Sequence, residues 1–132
     1  MPTPANLSNT LMLHRLWLQG AAGGVRADFS NQDLRGTSFN DADLARANFN
    51  GANVSGANFT NCNLIGADFA NSICDNAQFA GANADAAKFQ KASLQSARLG
   101  GNFSGCDFKE ADMRNAFLTG KFGAGLHQAR DK

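Results

Sequence analysis

Apolar residues return along this chain on a five-residue clock. With the centre of each pentad set at Phe29, the next centres are Leu34, Phe39, Leu44, Phe49, Val54, Phe59, Leu64, Phe69, Cys74, Phe79, Ala84, Phe89, Leu94 and Leu99, all fifteen apolar. The frame then slips by one residue at Gly100-Gly101 and resumes through Phe103, Phe108, Met113 and Leu118. Without the slip, Lys109 and Arg114 would occupy centres, and burying an unpaired charge is costly. Two residues before each centre stands a second inward position, filled by Ala in thirteen of the nineteen pentads and never by a charged residue.

This period excludes the two common elements. Five residues rotate a side chain by about 140° on an α-helix, so no single helical face collects the centres. A plain strand fails as well, because each inward pair must be followed by a corner before the next. The corner has its own signature two residues after the centre, where Asn31, Gly36, Asp41, Gly51, Gly56, Asn61 and Gly66 recur. Such residues tolerate the positive φ that a type II turn demands.

Five copies follow the motif A-[DN]-[LF]-x-x most plainly, the last with Met at its centre: ADLAR (42–46), ANFNG (47–51), ANFTN (57–61), ADFAN (67–71) and ADMRN (111–115). In tandem and in register they resemble the pentapeptide-repeat family, over roughly residues 27–120. The resemblance implies an all-β fold, a right-handed quadrilateral β-helix in which four pentads close one square coil, so that nineteen pentads make four to five coils. Many members occur in cyanobacteria, which makes that a source the resemblance suggests.

In such a tower, centres twenty residues apart stack. Phe29, Phe49, Phe69 and Phe89 form one column, opposite Phe39, Phe59, Phe79 and Leu99. The remaining sides carry Leu34, Val54, Cys74 and Leu94, and Leu44, Leu64 and Ala84, with Phe103 and Phe108 continuing the core beyond the slip. Two rings facing two smaller groups is a volume rule for a narrow interior.

An open end exposes core and unpaired backbone, so a cover is expected. Residues 1–24 read as a short N-terminal α-helical cap, with Ser8 as N-cap and Gly20 as the stop. A competing reading extends the repeat through Ala5-Asn6-Leu7-Ser8-Asn9, but its frame turns Arg15 inward. The repeat then spans residues 25–120, and residues 121–132 form a C-terminal tail or cap in which Phe122 and Leu126 pack on the last coil or on a second subunit.

Charge and chemistry change this picture little. The formal net charge is +1, with four basic and seven acidic side chains in residues 1–87 against eight and four in residues 88–132. Neither a nucleic-acid binder nor a strongly acidic protein is signalled. Cys62, Cys74 and Cys106 lack metal or redox spacing, lie inward on different sides, and predict buried thiols without a disulfide. The run Leu11–Leu18 is interrupted by His14 and Arg15, too short for a membrane span and poor as a signal peptide, which points to the cytoplasm.

His14 and His127 lie at opposite ends of the sequence with no ligand partners placed by the repeat. Asp28, Asp33, Asp43, Asp68, Asp107 and Asp112 occupy the position before the centre, where local backbone hydrogen bonding accounts for them. The run Gly120–Gly125 lacks the order of a phosphate loop. No catalytic residue, metal site or cofactor is expected, and no enzyme.

Three function classes compete: a protein-binding scaffold, a DNA mimic and an enzyme. Some family members mimic duplex DNA and bind type II topoisomerases, which requires an acidic stripe. Here the side of Asp28, Asn48 and Asp68 turns to Lys88 and Lys91, and no charge at all occurs from Ala47 to Ala67. The favoured reading is a non-enzymatic rigid scaffold that binds another protein, as a monomer or an end-to-end homodimer. The outward apolar residues are Ile65, Ile73 and Phe117, of which Phe117, near the end of the tower with Phe122 and Leu126, is a candidate contact.

The stacked columns make one prediction. Phe59→Ala removes a ring from the middle of a column and should cost about 3–5 kcal/mol. Thermal unfolding of that variant indistinguishable from wild type would dismiss the columns.

Overall fold

The computed structural model describes residues 6–130. The first five residues of the expected cap, among them Ala5 of the alternative pentad, and residues 131–132 of the tail lie outside the described residues.

The chain winds as a parallel ladder with four sides per turn. On the first side Asp28 pairs with Asn48, Asn48 with Asp68, Asp68 with Lys88 and Lys88 with Asp107; the series starting at Asp33, Ser38 and Asp43 give the other three. Each side contributes a single bridged residue, so almost none of the wall qualifies as strand. The exceptions are β1 (Asn102–Phe103) and β2 (Lys121–Phe122), which pair in parallel.

Backbone bonding repeats in every pentad. The centre N–H donates upward, as from Phe49 to the Asp68 carbonyl at 2.7 Å, while the preceding N–H donates downward, from Asn48 to the Ala27 carbonyl at 3.0 Å. The corner N–H also donates upward, from Gly51 to Ala70 at 3.0 Å, and a turn bond runs from the Ala52 N–H to the Phe49 carbonyl at 3.0 Å.

That leaves the N–H after the centre without a ladder partner, and the residue before the centre supplies one. Asn48 Oδ1 accepts from the Asn50 N–H at 2.9 Å, Asn58 from Thr60 at 2.9 Å and Asp68 from Ala70 at 2.9 Å. The preference for Asp or Asn at this position therefore has a backbone cause. At the corner every residue from Asn31 to Ser96 has positive φ, including Arg46, Ala86, Lys91 and Ser96. For these four non-glycine side chains the left-handed backbone costs about 1–2 kcal/mol each, offset by the ladder bonds it permits.

Inside, the rings form the expected columns. Phe39 and Phe59 stack at 5.0 Å with an interplanar angle of 5°, and Phe49 and Phe69 at 4.6 Å and 2°. Rings from opposite sides meet edge to face along the axis, Phe49 with Phe59 at 5.6 Å and 86°. Both geometries suit the aromatic quadrupole and add about 0.5–1.5 kcal/mol per pair to the burial.

The slip at Gly100-Gly101 shortens one side by a residue, and bridge partners then lie nineteen apart, as Asn83 with Asn102. It also hands the rings over. Leu99, with Leu118 above it, ends the run of rings Phe39, Phe59 and Phe79, and Phe103 enters above Ala84 on the next side, 5.9 Å from Phe79 and edge to face. A second shortening, absent from the sequence expectation, falls between Leu118 and Phe122, since Phe103 pairs with Phe122. Phe122 stacks on Phe103 at 5.5 Å, extending this column into what the pentad frame left as tail.

At the lower end α1 (Leu7–Leu18) packs Leu7 and Leu11 on the core. Its N-cap is Asn6, two residues earlier than the Ser8 expected, with Thr10 N–H bonding the Asn6 carbonyl at 2.8 Å. Starting there brings Leu7 into the helix face that touches the core. The helix ends as foreseen at Gly20, whose φ is +69°: the Gly20 N–H bonds the Trp17 carbonyl and the Ala21 N–H that of Leu16, a paired C-terminal cap. At the upper end, a 3-10 helix over Ala124–Gln128 follows Phe122, and the Arg130 N–H bonds the Ala111 carbonyl at 2.8 Å.

The short side explains its glycines. A Cβ on Gly101 would overlap the Ala82 carbonyl oxygen, whereas one on neighbouring Gly100 would meet Thr119 Oγ1 at an ordinary 3.4 Å. Gly101→Ala should cost about 3 kcal/mol, the upper end of overpacking, and Gly100→Ala less than about 0.5 kcal/mol. Equal melting shifts for the two would contradict this packing of the short side.

Candidate functional site

His14 is fully buried between α1 and the first coil. Its Nδ1 accepts from the Ala27 N–H at 2.9 Å, and its Nε2 lies 2.8 Å from the Ala45 carbonyl, to which it donates. Ala27 opens the first pentad and has no preceding centre to close its turn. Ala45 stands where other coils receive an N–H from below. One neutral imidazole thus replaces two bonds of a coil that is not there. Burial lowers the His14 pKa below its usual 6.5, against the opposing pull of the Ala45 bond and of Asp43.

Around it, Trp17 stacks obliquely on His14 at 5.4 Å and carries the Arg46 guanidinium 4.8 Å from its ring centre. Two grooves flank the helix. One, of about 230 Å³, is lined by Thr10, Leu13, Val25, Arg26, Ala27 and Asp28, and the other, of about 290 Å³, by Leu11, Arg15, Asn40, Asp41, Ala42 and Asp43. Both fall below the ordinary range of small-molecule pockets.

The thiols are committed to the interior. Cys62 Sγ donates to the Phe39 carbonyl at 2.7 Å, Cys106 Sγ to that of Ala84 at 3.0 Å, and Cys74 lies 3.1 Å from the Ser72 hydroxyl. Burial pushes all three up to about 12, far from a reactive thiolate. The three remain free cysteines. Among the described residues, no group of three His, Cys, Asp or Glu side chains is placed to hold a metal ion.

The glycine-rich run also has a packing explanation. Cβ atoms on Gly120, Gly123 and Gly125 would overlap the carbonyl oxygens of Gly101, Ser104 and Cys106 beneath them. Phe122 and Leu126, singled out in the sequence as possible contacts, are half-buried against the core. Phe117 is 48% exposed, with the Arg98 guanidinium 4.6 Å from its ring centre. His127 is exposed in the 3-10 helix.

Two family models match, one described as a pentapeptide repeat region over residues 25–99 and one as pentapeptide repeats (8 copies) over residues 99–120. The chain belongs to the pentapeptide-repeat family. No curated protein matches the sequence. Solved structures similar to this pentapeptide-repeat protein include one from the Arabidopsis thaliana thylakoid lumen, 27% identical, covering 65% of this chain and 71% of that one at a TM-score of 0.34. Another is trypsin-treated QnrB1, a plasmid-mediated fluoroquinolone resistance protein, 20% identical, with 77% of this chain matched, 61% of that one spanned and a TM-score of 0.35. A pentapeptide repeat protein from Nostoc PCC 7120 is 21% identical, with 92% and 93% covered and a TM-score of 0.33. No helix among the described residues is long and apolar enough to cross a membrane.

The imidazole makes the lower end of this pentapeptide-repeat protein acid-sensitive. Because the folded pKa lies below the unfolded one, the unfolded chain takes up the proton first as pH drops. Stability from His14 is therefore complete above pH 6.5 and drains as pH falls from there through the folded value. Melting temperature should fall between pH 7 and pH 5 in wild type, and less steeply in His14→Gln, whose amide both donates and accepts without titrating. Parallel curves would remove His14 as the cause.

Proposed function

We propose that this pentapeptide-repeat protein is a non-enzymatic rigid scaffold that binds another protein. It works as a right-handed quadrilateral β-helix of four to five coils, in the cytoplasm, as a monomer or an end-to-end homodimer. The observation that supports this most is the commitment of its reactive groups to structure. Both nitrogens of His14 bond backbone, and all three thiols are buried with raised pKa values. What remains for a partner is the outward residue set, held at intervals by a bonded ladder.

Within that reading the contact surface lies near the upper end, at Phe117 rather than at Phe122 or Leu126, which serve the core. Mimicry of DNA toward a type II topoisomerase is the reading this one displaces. The bridged column on its first side runs Asp28, Asn48, Asp68, Lys88, Asp107, reversing sign where a phosphate-like series would continue.

Affinity capture with the purified protein should return a stoichiometric protein partner that stays bound as salt is raised from about 0.1 to 0.5 M, beyond the range where exposed charges attract. Tight binding to purified DNA gyrase that disappears over the same range would replace the scaffold by a mimic. Turnover of a small molecule, abolished by mutating His14 or His127, would replace it by an enzyme.

A further inference from the structure

One side of the tower differs from the other three. Its bridged column runs Ser38, Asn58, Gln78, Arg98, Phe117, and the parallel outward column runs Asn40, Thr60, Ala80, Gly100, Thr119. Above the first coil neither column holds a carboxylate, and the only charge is Arg98. Small residues at Ala80 and Gly100 leave the ground beside Arg98 and Phe117 flat.

Arg98 and Phe117 also break the local rule of the repeat. At this position Asp or Asn stands in most pentads and accepts the N–H two residues on, which neither a guanidinium nor a phenyl ring can do. Two successive coils forgo that bond, and gain an aromatic ring nearly half open to solvent with a guanidinium 4.6 Å from its centre. The gain within the fold is one ring–cation contact at the surface, and an aromatic ring left half open beside a cation is ground that a partner can complete. Exposed Ile65 and Ile73 stand singly on two other sides.

We propose that this face docks an extended acidic and apolar segment of another protein. A carboxylate of the segment pairs with the Arg98 guanidinium, and an apolar side chain covers the open part of the Phe117 ring. Arg and aromatic residues are the side chains that dominate interface cores. Charge complementarity selects this occupant. A second copy placed face to face would bring Arg98 against Arg98 with no carboxylate on either side. A nucleic acid would find one cation where it needs a row. The proposal rests on the scaffold reading and names its partner's chemistry.

The test is selection of a random linear peptide library on the intact protein, with the Arg98→Gln/Phe117→Ser double variant as counter-bait. Peptides carrying Asp or Glu within a few residues of Leu, Phe or Trp should be enriched. By fluorescence anisotropy each single variant should weaken them about tenfold or more, while Ile73→Ser changes nothing. Both positions are exposed, so matching melting curves verify that the variants fold. Failure to enrich, or peptides that bind the double variant equally, overturns the docking face; the scaffold reading then stands or falls on its own affinity capture. Concentration-dependent dimerisation abolished by Phe117→Ser, or binding of single-stranded DNA abolished by Arg98→Gln, overturns the acidic segment as occupant.

Discussion

Everything in this molecule depends on the hydrogen bonds that run from one coil to the next. A single coil has no sheet of its own; each side offers one bridged residue, and its stability comes from stacking. The requirement that every coil lie on the last fixes the step, and the step fixes what the interior can hold. Alanine at the first inward position lets the four sides close, and rings on facing sides fill the axis in stacked and edge-to-face pairs. When the step changes to nineteen at Gly100-Gly101, the core changes with it, and the ring moves from the side of Phe79 to the side of Ala84. Register and packing are one constraint.

The same constraint makes the two ends into separate problems. At the bottom, the missing coil leaves a carbonyl and an N–H that a helix backbone cannot reach, because its own groups are used internally. An imidazole in its neutral form offers one acceptor and one donor at opposite edges of a rigid ring, and His14 meets both. Charging it would lose the acceptor, so the burial that depresses its pKa also preserves its function as a plug. At the top no single residue does this. The chain instead continues as Phe122 over Phe103 and closes with a 3-10 helix, laying glycines on carbonyls of the coil below.

The interior was legible from sequence because its signal repeats many times. Phe29 through Phe89, with Leu34, Leu44 and Leu64 between them, lie buried in the columns read from the five-residue period. The slip at Gly100-Gly101 was legible too, since four pentads beyond it show the new frame. The second slip was not. Only Phe122 follows it, and one residue cannot announce a frame. Corners at Arg46, Ala86, Lys91 and Ser96 were hidden because residue type there opposes the backbone, which the ladder overrides. His14 was visible only as an isolated histidine; its two partners, Ala27 and Ala45, are backbone groups of alanines and leave no trace in composition. A buried histidine placed one short helix ahead of a solenoid is the signal that could have found it.

Function in such a fold is confined by geometry to the outward positions, and most of these are not free either. The residue before each centre is drawn toward Asp or Asn by the N–H it must satisfy, which is why an apparent scatter of acids carries so little information about partners. Departures from Asx at that position are thus more informative than charge. They occur at Ser38, Ile73, Gln78, Lys88, Ser93, Arg98 and Phe117. One is compensated within the fold: Asp75 takes both the Ser93 hydroxyl and the Gln95 N–H that Ser93 leaves open, at 2.5 and 3.1 Å. Where a departure is compensated, the ladder explains it and no partner is needed. Arg98 and Phe117 instead compensate only each other, through a ring that stays half exposed. Ile73, Gln78 and Lys88 are departures too; what sets Arg98 and Phe117 apart is that they lie on adjacent coils in ring–cation contact, with the ring half exposed.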